Sequence, residues 1–271
     1  MRNSSRTPTD QPVDHRRTPR ASQNVTASVV QQLEDLVFGE FEPGAQLPSE
    51  SDLAAQLGVS RLTVREATKA LQARGLVVIR QGRRPVVAHP NAGPIDDFFT
   101  AAVRRDPRRL MDLLEVRRAL ETHIASLAAT NAGRAAISAM EMALAAMRAA
   151  GDDVPTFHEA DIHFHESVAV GAGNQMLSFL IEALEAPLRA GRMRSLGGHL
   201  ARGGTIEDVI EQHAAILERI KAKDAKGAAE AMGSHLEQTA RDLKAALTLI
   251  DVPPAQPAAP TEPALDDTGD R

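Results

Sequence analysis

Hydrophobic positions recur at helical spacing along most of this chain, and the breaks in that rhythm divide it into segments. Val25, Val29, Val30, Leu33, Leu36 and Val37 form an apolar stripe that stops at Gly39. Leu53, Ala54 and Leu57 mark a short second helix, opened by Pro48-Ser49 and closed by Gly58. Ser49 and Asp52 there have capping-box spacing. Ser60 caps a third helix that runs to about Arg74 and ends at Gly75, with Val64, Ala67 and Leu71 on one side. Two short β-type runs follow, Leu76–Arg80 and Pro85–Ala88, joined by the turn Gln81-Gly82-Arg83-Arg84.

From 91 to 248 no convincing strand appears. Helical periods run through 94–104, 107–131, 133–150, 154–172, 174–194, 205–222 and 225–248. Asp106-Pro107, Gly151-Asp152, Gly171-Ala172-Gly173 and Gly197-Gly198 read as breaks. Thr205 with Asp208 is a second capping box, and Asp224 can cap the last helix. The expected fold is mainly α: an N-terminal winged helix-turn-helix followed by an antiparallel α-helical bundle of six or seven helices, Pro94–Arg105 being its least defined member. The expected divisions are a disordered tail at 1–22, a winged domain at 23–90, a linker or first helix at 91–105, a helical domain at 106–248 and a second disordered tail at 249–271.

Composition narrows the setting. Of 31 Lys+Arg and 36 Asp+Glu, residues 1–90 hold 12 and 9, a net of +3, which leaves −8 for the remainder. Only the first part should therefore meet phosphate. Aromatics make up 3% of an Ala- and Leu-rich chain, which suits closely packed helices. There are no cysteines, so disulfides and thiolate metal sites are excluded, as a reducing cytosol would favour. No apolar run reaches membrane-span length and the first residues lack a signal-peptide core, so a cytoplasmic protein without membrane partners is expected. Arg16, Arg17 and Arg20 could add weak phosphate contacts, although a solvated tail is the simpler reading.

Arg61, Arg65 and Lys69 recur every four residues and so share one face of the third helix, opposite Val64, Ala67 and Leu71. A basic face on the second helix of a helix-turn-helix, next to a basic hairpin, is what reading a major groove requires. The segment resembles the DNA-binding domain of the GntR family of bacterial transcription regulators. The resemblance is carried by Pro43-Gly44, Leu47-Pro48-Ser49-Glu50, Leu53-Ala54, Gly58-Val59-Ser60-Arg61, Thr63-Val64-Arg65-Glu66-Ala67, Leu71 and Gly75-Leu76. It implies that Arg61 and Arg65 read bases or contact nearby phosphates, that Thr63 supports the same face and that Gly82 lets the wing tip approach DNA. Ser49, Lys69 and Arg83 complete the expected DNA-binding set. Ser51 stands where many members carry an arginine, and Gly82-Arg83-Arg84-Pro85 replaces the usual pair of wing glycines. The operator therefore cannot be copied from relatives.

A second constellation lies in the helical part. Asp161 and His165 are four apart on a face shared with Phe157, Phe164 and Val168. His213 sits on a stripe with Ile206, Ile210, Leu217 and Ile220, and His235 on one with Met232, Thr239 and Leu243. Each polar group thus faces an apolar interior, where an unpartnered carboxylate would be costly. One carboxylate with three neutral imidazoles is an N/O metal site with an open position. Any one of these histidines is ordinarily a satisfied core residue, and spacing leaves both readings open. His163 points off this face, His158 could line a pocket one turn before Asp161 although a surface role is the simpler reading, and His199 falls in a Gly-rich break at 197–204 that could equally form a mobile cover. Arg189, Arg192 and Arg194 read as cations at a helix C-terminus, although one of them could still reach an anionic ligand.

Asp161-Ile162-His163-Phe164-His165, Gly173-Asn174, Glu211–Leu217, Met232–Leu236 and the helix Leu114–Glu121 are similar to the effector domain, FCD, of the FadR-like branch of GntR regulators. The similarity implies that Asp161, His165, His213 and His235 bind a divalent metal (Zn, Ni, Mn or similar). It also implies a neighbouring pocket for a small carboxylate, faced by Arg117 and Asn174, although Asn174 serves equally well as a helix cap. The reading that results is a homodimeric repressor-type regulator of double-stranded operator DNA, with no catalytic residues. In it a small organic acid shifts the two winged domains through the segment around 89–105. The alternatives are a metal-dependent enzyme fused to a DNA-binding head and a bundle that serves only for dimerisation.

Overall fold

The computed structural model describes residues 19–250. The expected tails fall mostly outside that range, with Arg16 and Arg17. Pro19 through Ser22, expected in the first tail, belong instead to the first helix.

Among the described residues the chain forms ten helices and one two-stranded sheet, and it divides into two compact units at Asp97/Phe98. The first unit holds α1 (Pro19–Glu40), α2 (Glu50–Leu57), α3 (Arg61–Ala73), β1 (Val77–Val78) and β2 (Val86–Val87). Ser49 caps α2 reciprocally with Asp52, and Gly58 ends it in the left-handed conformation (φ 65°), where a side chain would be strained. Ser60 caps α3 by accepting from the Thr63 backbone N–H at 3.1 Å. Val29, Leu33, Leu53, Val64, Ala67, Leu71 and Val77 close the core. β1 and β2 pair antiparallel, Val77 with Val87 and Val78 with Val86, and form the wing.

Helix α4 (Gly93–Arg105) spans the division between the units. It buries no residue fully, and Phe99 and Val103 lean on the core of the second unit. That unit is all helical: α5 (Arg109–Asn131), α6 (Arg134–Ala150), α7 (Val154–Gly171), α8 (Gln175–Ala201), α9 (Ile206–Lys221) and α10 (Ala225–Ile250). Helix α10 packs along α5, α8 and α9, and α7 along α5, α6 and α8. Capping follows the sequence, with Asp153 at α7, Asn174 at α8 and the Thr205–Asp208 box at α9.

One expected break is absent. Gly197-Gly198 lies inside α8, which continues to Ala201. The glycine there serves helix contact rather than a turn: a Cβ on Gly198 would collide with the backbone carbonyl of Asp242 on α10. No helix among the described residues is long and apolar enough to cross a membrane.

Candidate functional site

In the first unit, Arg61, Arg65 and Lys69 are all exposed on α3. They line one groove with Ser49 and with the wing residues Gly82 and Arg83. Thr63 lies outside that lining and hydrogen-bonds the Ser60 hydroxyl at 2.8 Å, so it stiffens the start of α3. Ser49 is engaged in capping. Lys69 pairs with Glu66 at 3.0 Å. Arg65 is held by Glu50, to which it donates from Nε at 3.0 Å and from Nη2 at 2.7 Å. That hydrogen bond lowers the Glu50 pKa.

In the second unit α7, α9 and α10 bring Asp161, His165, His213 and His235 together, all four buried, with one ligand atom from each within 4.8 Å of the others. The Nε2 of His213 lies 3.0 Å from Asp161 Oδ1 and 3.3 Å from His165 Nε2, and His165 Nε2 lies 3.8 Å from Asp161 Oδ1. Donors bound to one ion at about 2.0–2.2 Å stand about 3–4 Å apart, so these spacings suit a shared cation.

The outer ring nitrogens decide the chemistry. Nδ1 of His213 donates to the Val209 carbonyl at 2.7 Å, and Nδ1 of His235 donates to Gln212 Oε1 at 2.9 Å. Nδ1 of His165 meets Glu121. A neutral imidazole has only one N–H, so each Nε2 is left as a bare lone pair. Two such lone pairs and a carboxylate oxygen turned on one another repel unless a cation lies among them. The donor set therefore fits a divalent metal, and Glu121, Val209 and Gln212 act as the outer partners that fix ring orientation. Burial pushes His165 down to about 4, and burial also lowers His235 well below its usual value. Burial would raise the Asp161 carboxyl, but the Arg192 guanidinium holds it well below the ordinary range.

A cavity of about 40 Å³ adjoins this cluster, lined among others by Arg117, His158, Asp161, Arg192, His199, His235 and Asp242. Several of these places differ from expectation. Arg192 is buried rather than exposed at a helix end: it pairs with Asp161, and its Nη2 lies 2.8 Å from Glu185. His158 is buried in the cavity wall, the pocket-lining one of its two expected places rather than the surface one. His199 sits within α8, with Nδ1 3.2 Å from Asp242. Asn174 is not in the lining; its side chain accepts from the backbone N–H of Met176 and Leu177 as the α8 cap. Arg117 does reach the cavity, but it is 2% exposed and paired with Glu121. Burial raises the Glu121 carboxyl, and Arg117 and His165 more than reverse this.

Glu121, Glu185 and Asp242 were missed from the sequence. The signal was spacing from recognised residues: Glu121 lies four after Arg117, Glu185 seven before Arg192, and Asp242 seven after His235. His163 is exposed, as expected.

Residues 25–87 match the bacterial regulatory proteins of the gntR family, and residues 112–238 match the FCD domain. The HTH-type transcriptional repressor NanR of Klebsiella aerogenes is 31% identical over 239 residues, which cover 85% of this chain and 89% of that protein. The galactonate operon transcriptional repressor of Escherichia coli is 30% identical over 213 residues, 77% of this chain and 92% of that protein. The solved structure of Streptococcus agalactiae GntR superposes with a TM-score of 0.60 at 26% identity, covering 80% of this chain and 99% of that one.

Proposed function

The chain belongs to the gntR family of DNA-binding bacterial regulators, and is a regulator rather than an enzyme; from that premise we propose that a small carboxylate, bound beside a divalent metal in the helical unit, controls its grip on operator DNA. The enzyme alternative falls with the family assignment. Both relatives named above are repressors, and this chain is read as one too.

The observation that carries the proposal is the convergence of three imidazoles on Asp161, beside a cavity that Arg117 and Arg192 also line. Asp161, His165, His213 and His235 would hold the metal. The metal would supply a Lewis-acid site for a carboxylate oxygen. Arg117 and Arg192 supply guanidinium forks of the kind that recognise carboxylates. Both are already committed to acidic partners, so they act on a ligand by sharing hydrogen bonds, and the cavity must widen to admit it.

On the DNA side, Arg61 and Arg65 read base edges, with Lys69 and the wing residues Gly82 and Arg83 along the backbone. Ser49 shapes this face as the α2 cap, and Thr63 through its hydrogen bond with the Ser60 hydroxyl. One recognition helix reads few bases, so a homodimer on a two-fold operator is expected. The effector acts only through its difference in affinity between the DNA-bound and free arrangements.

The test is an operator-release titration with metal-loaded and metal-stripped protein against a carboxylate panel. Release that needs both metal and acid supports the reading. Release by acid without metal would overturn the metal's role, and metal-loaded protein that no acid releases would leave the bundle a dimerisation module.

A further inference from the structure

We propose that His158 is a specificity residue that reads a hydroxyl group on an effector carrying a single carboxylate. This rests on the proposed function and narrows its ligand class.

The first observation is an orphaned imidazole. His158 is 8% exposed and lines the cavity, yet neither ring nitrogen has a hydrogen-bond partner. Native proteins rarely leave a buried polar group in that state without a reason. On α7 the ring stands about one turn before Asp161, and His165 one turn after it, so His158 borders the metal-binding face from the side away from His165. Burial keeps His158 below its ordinary pKa, and the ring is neutral near pH 7. A neutral imidazole offers one donor and one acceptor. A hydroxyl offers the same pair in return, whereas a carboxylate only accepts and an ammonium only donates.

The second observation is the charge of the surrounding cluster. Arg117 and Arg192 face three carboxylates, Glu121, Asp161 and Glu185. Asp242, farther along the wall, is answered by Arg202. Two guanidiniums, three carboxylates and a dication leave one positive charge unmatched. One ligand carboxylate neutralises it. A second would be a buried anion without a counter-charge, which is strongly disfavoured. The remainder of the ligand must then be recognised through uncharged hydrogen bonds, and His158 brings two unpartnered ring nitrogens to the cavity for them.

The experiment is calorimetric titration of the full-length, metal-loaded protein with gluconate and galactonate, polyhydroxy acids with one carboxylate. Glucarate, a dicarboxylate, and hexanoate, which has no hydroxyl, are the controls. At least one of the two hydroxy acids is expected to bind about 10-fold or more tightly than either control, because a site built to hydrogen-bond a hydroxyl rejects analogues that lack it. His158→Phe keeps a ring and removes both nitrogens. It is expected to erase that preference while melting temperature, metal content and operator binding without ligand stay as in the parent. His158→Gln, which retains a donor and an acceptor, should restore part of it and covers the case in which the Phe variant folds poorly. Hexanoate binding as tightly as the hydroxy acids, or an unchanged hydroxy-acid affinity in both variants, would overturn the role of His158. Glucarate binding as tightly would overturn the single carboxylate. If no acid bound, this inference would fall, while metal content measured on the same sample would judge the metal reading separately.

Discussion

Arg65 on α3 and Glu50 at the start of α2 form a two-point ion pair, with guanidinium Nε at 3.0 Å and Nη2 at 2.7 Å from the carboxylate. The carboxylate holds the arginine flat on the face proposed to meet DNA and leaves its remaining donors for a base. Arg65→Ala is expected to cost about 1–3 kcal/mol of specific operator binding. Glu50→Ala removes an acid from the same face. Non-specific DNA binding should therefore rise while specific binding falls. Competition titrations with operator and random duplex check this; an unchanged ratio in Glu50→Ala would show that the pair does not orient Arg65.

The wing is expected to behave differently. Arg83 adjoins Gly82 in the hairpin turn, which the proposed function places along the DNA backbone. Arg83→Ala should weaken operator and random DNA about equally and lower the salt slope of binding by about 1. Affinities measured over a range of salt concentrations decide it, and a loss confined to the operator would make Arg83 a base reader.

Purified protein should carry about one divalent ion per chain. His213→Ala should lose most of it. Glu121→Gln removes the charge behind His165 and should weaken metal binding by about 10–100-fold. Elemental analysis and chelator competition test both, and full occupancy in His213→Ala would rule out this ligand set. Arg117→Ala is a poorer probe of the effector pocket than its position suggests. It strands Glu121 as a buried anion and should cost about 3–5 kcal/mol of stability.

Metal-stripped protein should be acid-sensitive in a defined window. Burial first of all holds His165 at about 4 against an ordinary 6.5. Between those values the unfolded chain binds more protons than the folded one. The stability that depends on the neutral ring is therefore complete above about pH 6.5 and is lost as pH falls towards about 4, by about 3 kcal/mol at most. Urea melts of chelator-treated protein across that range check it, and a flat profile would contradict a neutral buried ring.

Gly198→Ala should destabilise the helical unit by about 1–3 kcal/mol, because the added methyl meets the Asp242 carbonyl where α8 and α10 touch. Gly197→Ala, which meets nothing nearby, should be neutral or slightly stabilising. Thermal melts of the two variants would separate a contact glycine from a helix break.

That pair of glycines also shows where the sequence was hard to read. Capping residues act on their own helix ends, so Ser49, Ser60 and Thr205 announced their elements correctly. Asp161 and His165 were legible as a pair because a four-residue spacing shares one helix face. A glycine that exists for close helix contact carries the same local signal as one that ends a helix, and only the presence of α10 distinguishes them. Arg192 failed for a related reason. Its position near the presumed end of a helix suggested a cation serving that terminus, whereas its partners Asp161 and Glu185 allow it to be buried. Asn174 had two local meanings, and the cap is the one the backbone uses.

Arg192 gives Asp161 a counter-charge that belongs to the chain itself. It takes Oδ2, while Oδ1 remains turned toward the histidines. A buried carboxylate whose only partner came from solution would tie the order of folding to the supply of that ion, as in small metal-dependent domains that are unfolded without it. Here the bundle can close first and load afterwards. Under the proposed function, a cell short of metal would then hold a folded regulator unable to answer its ligand, not a pool of unfolded chains.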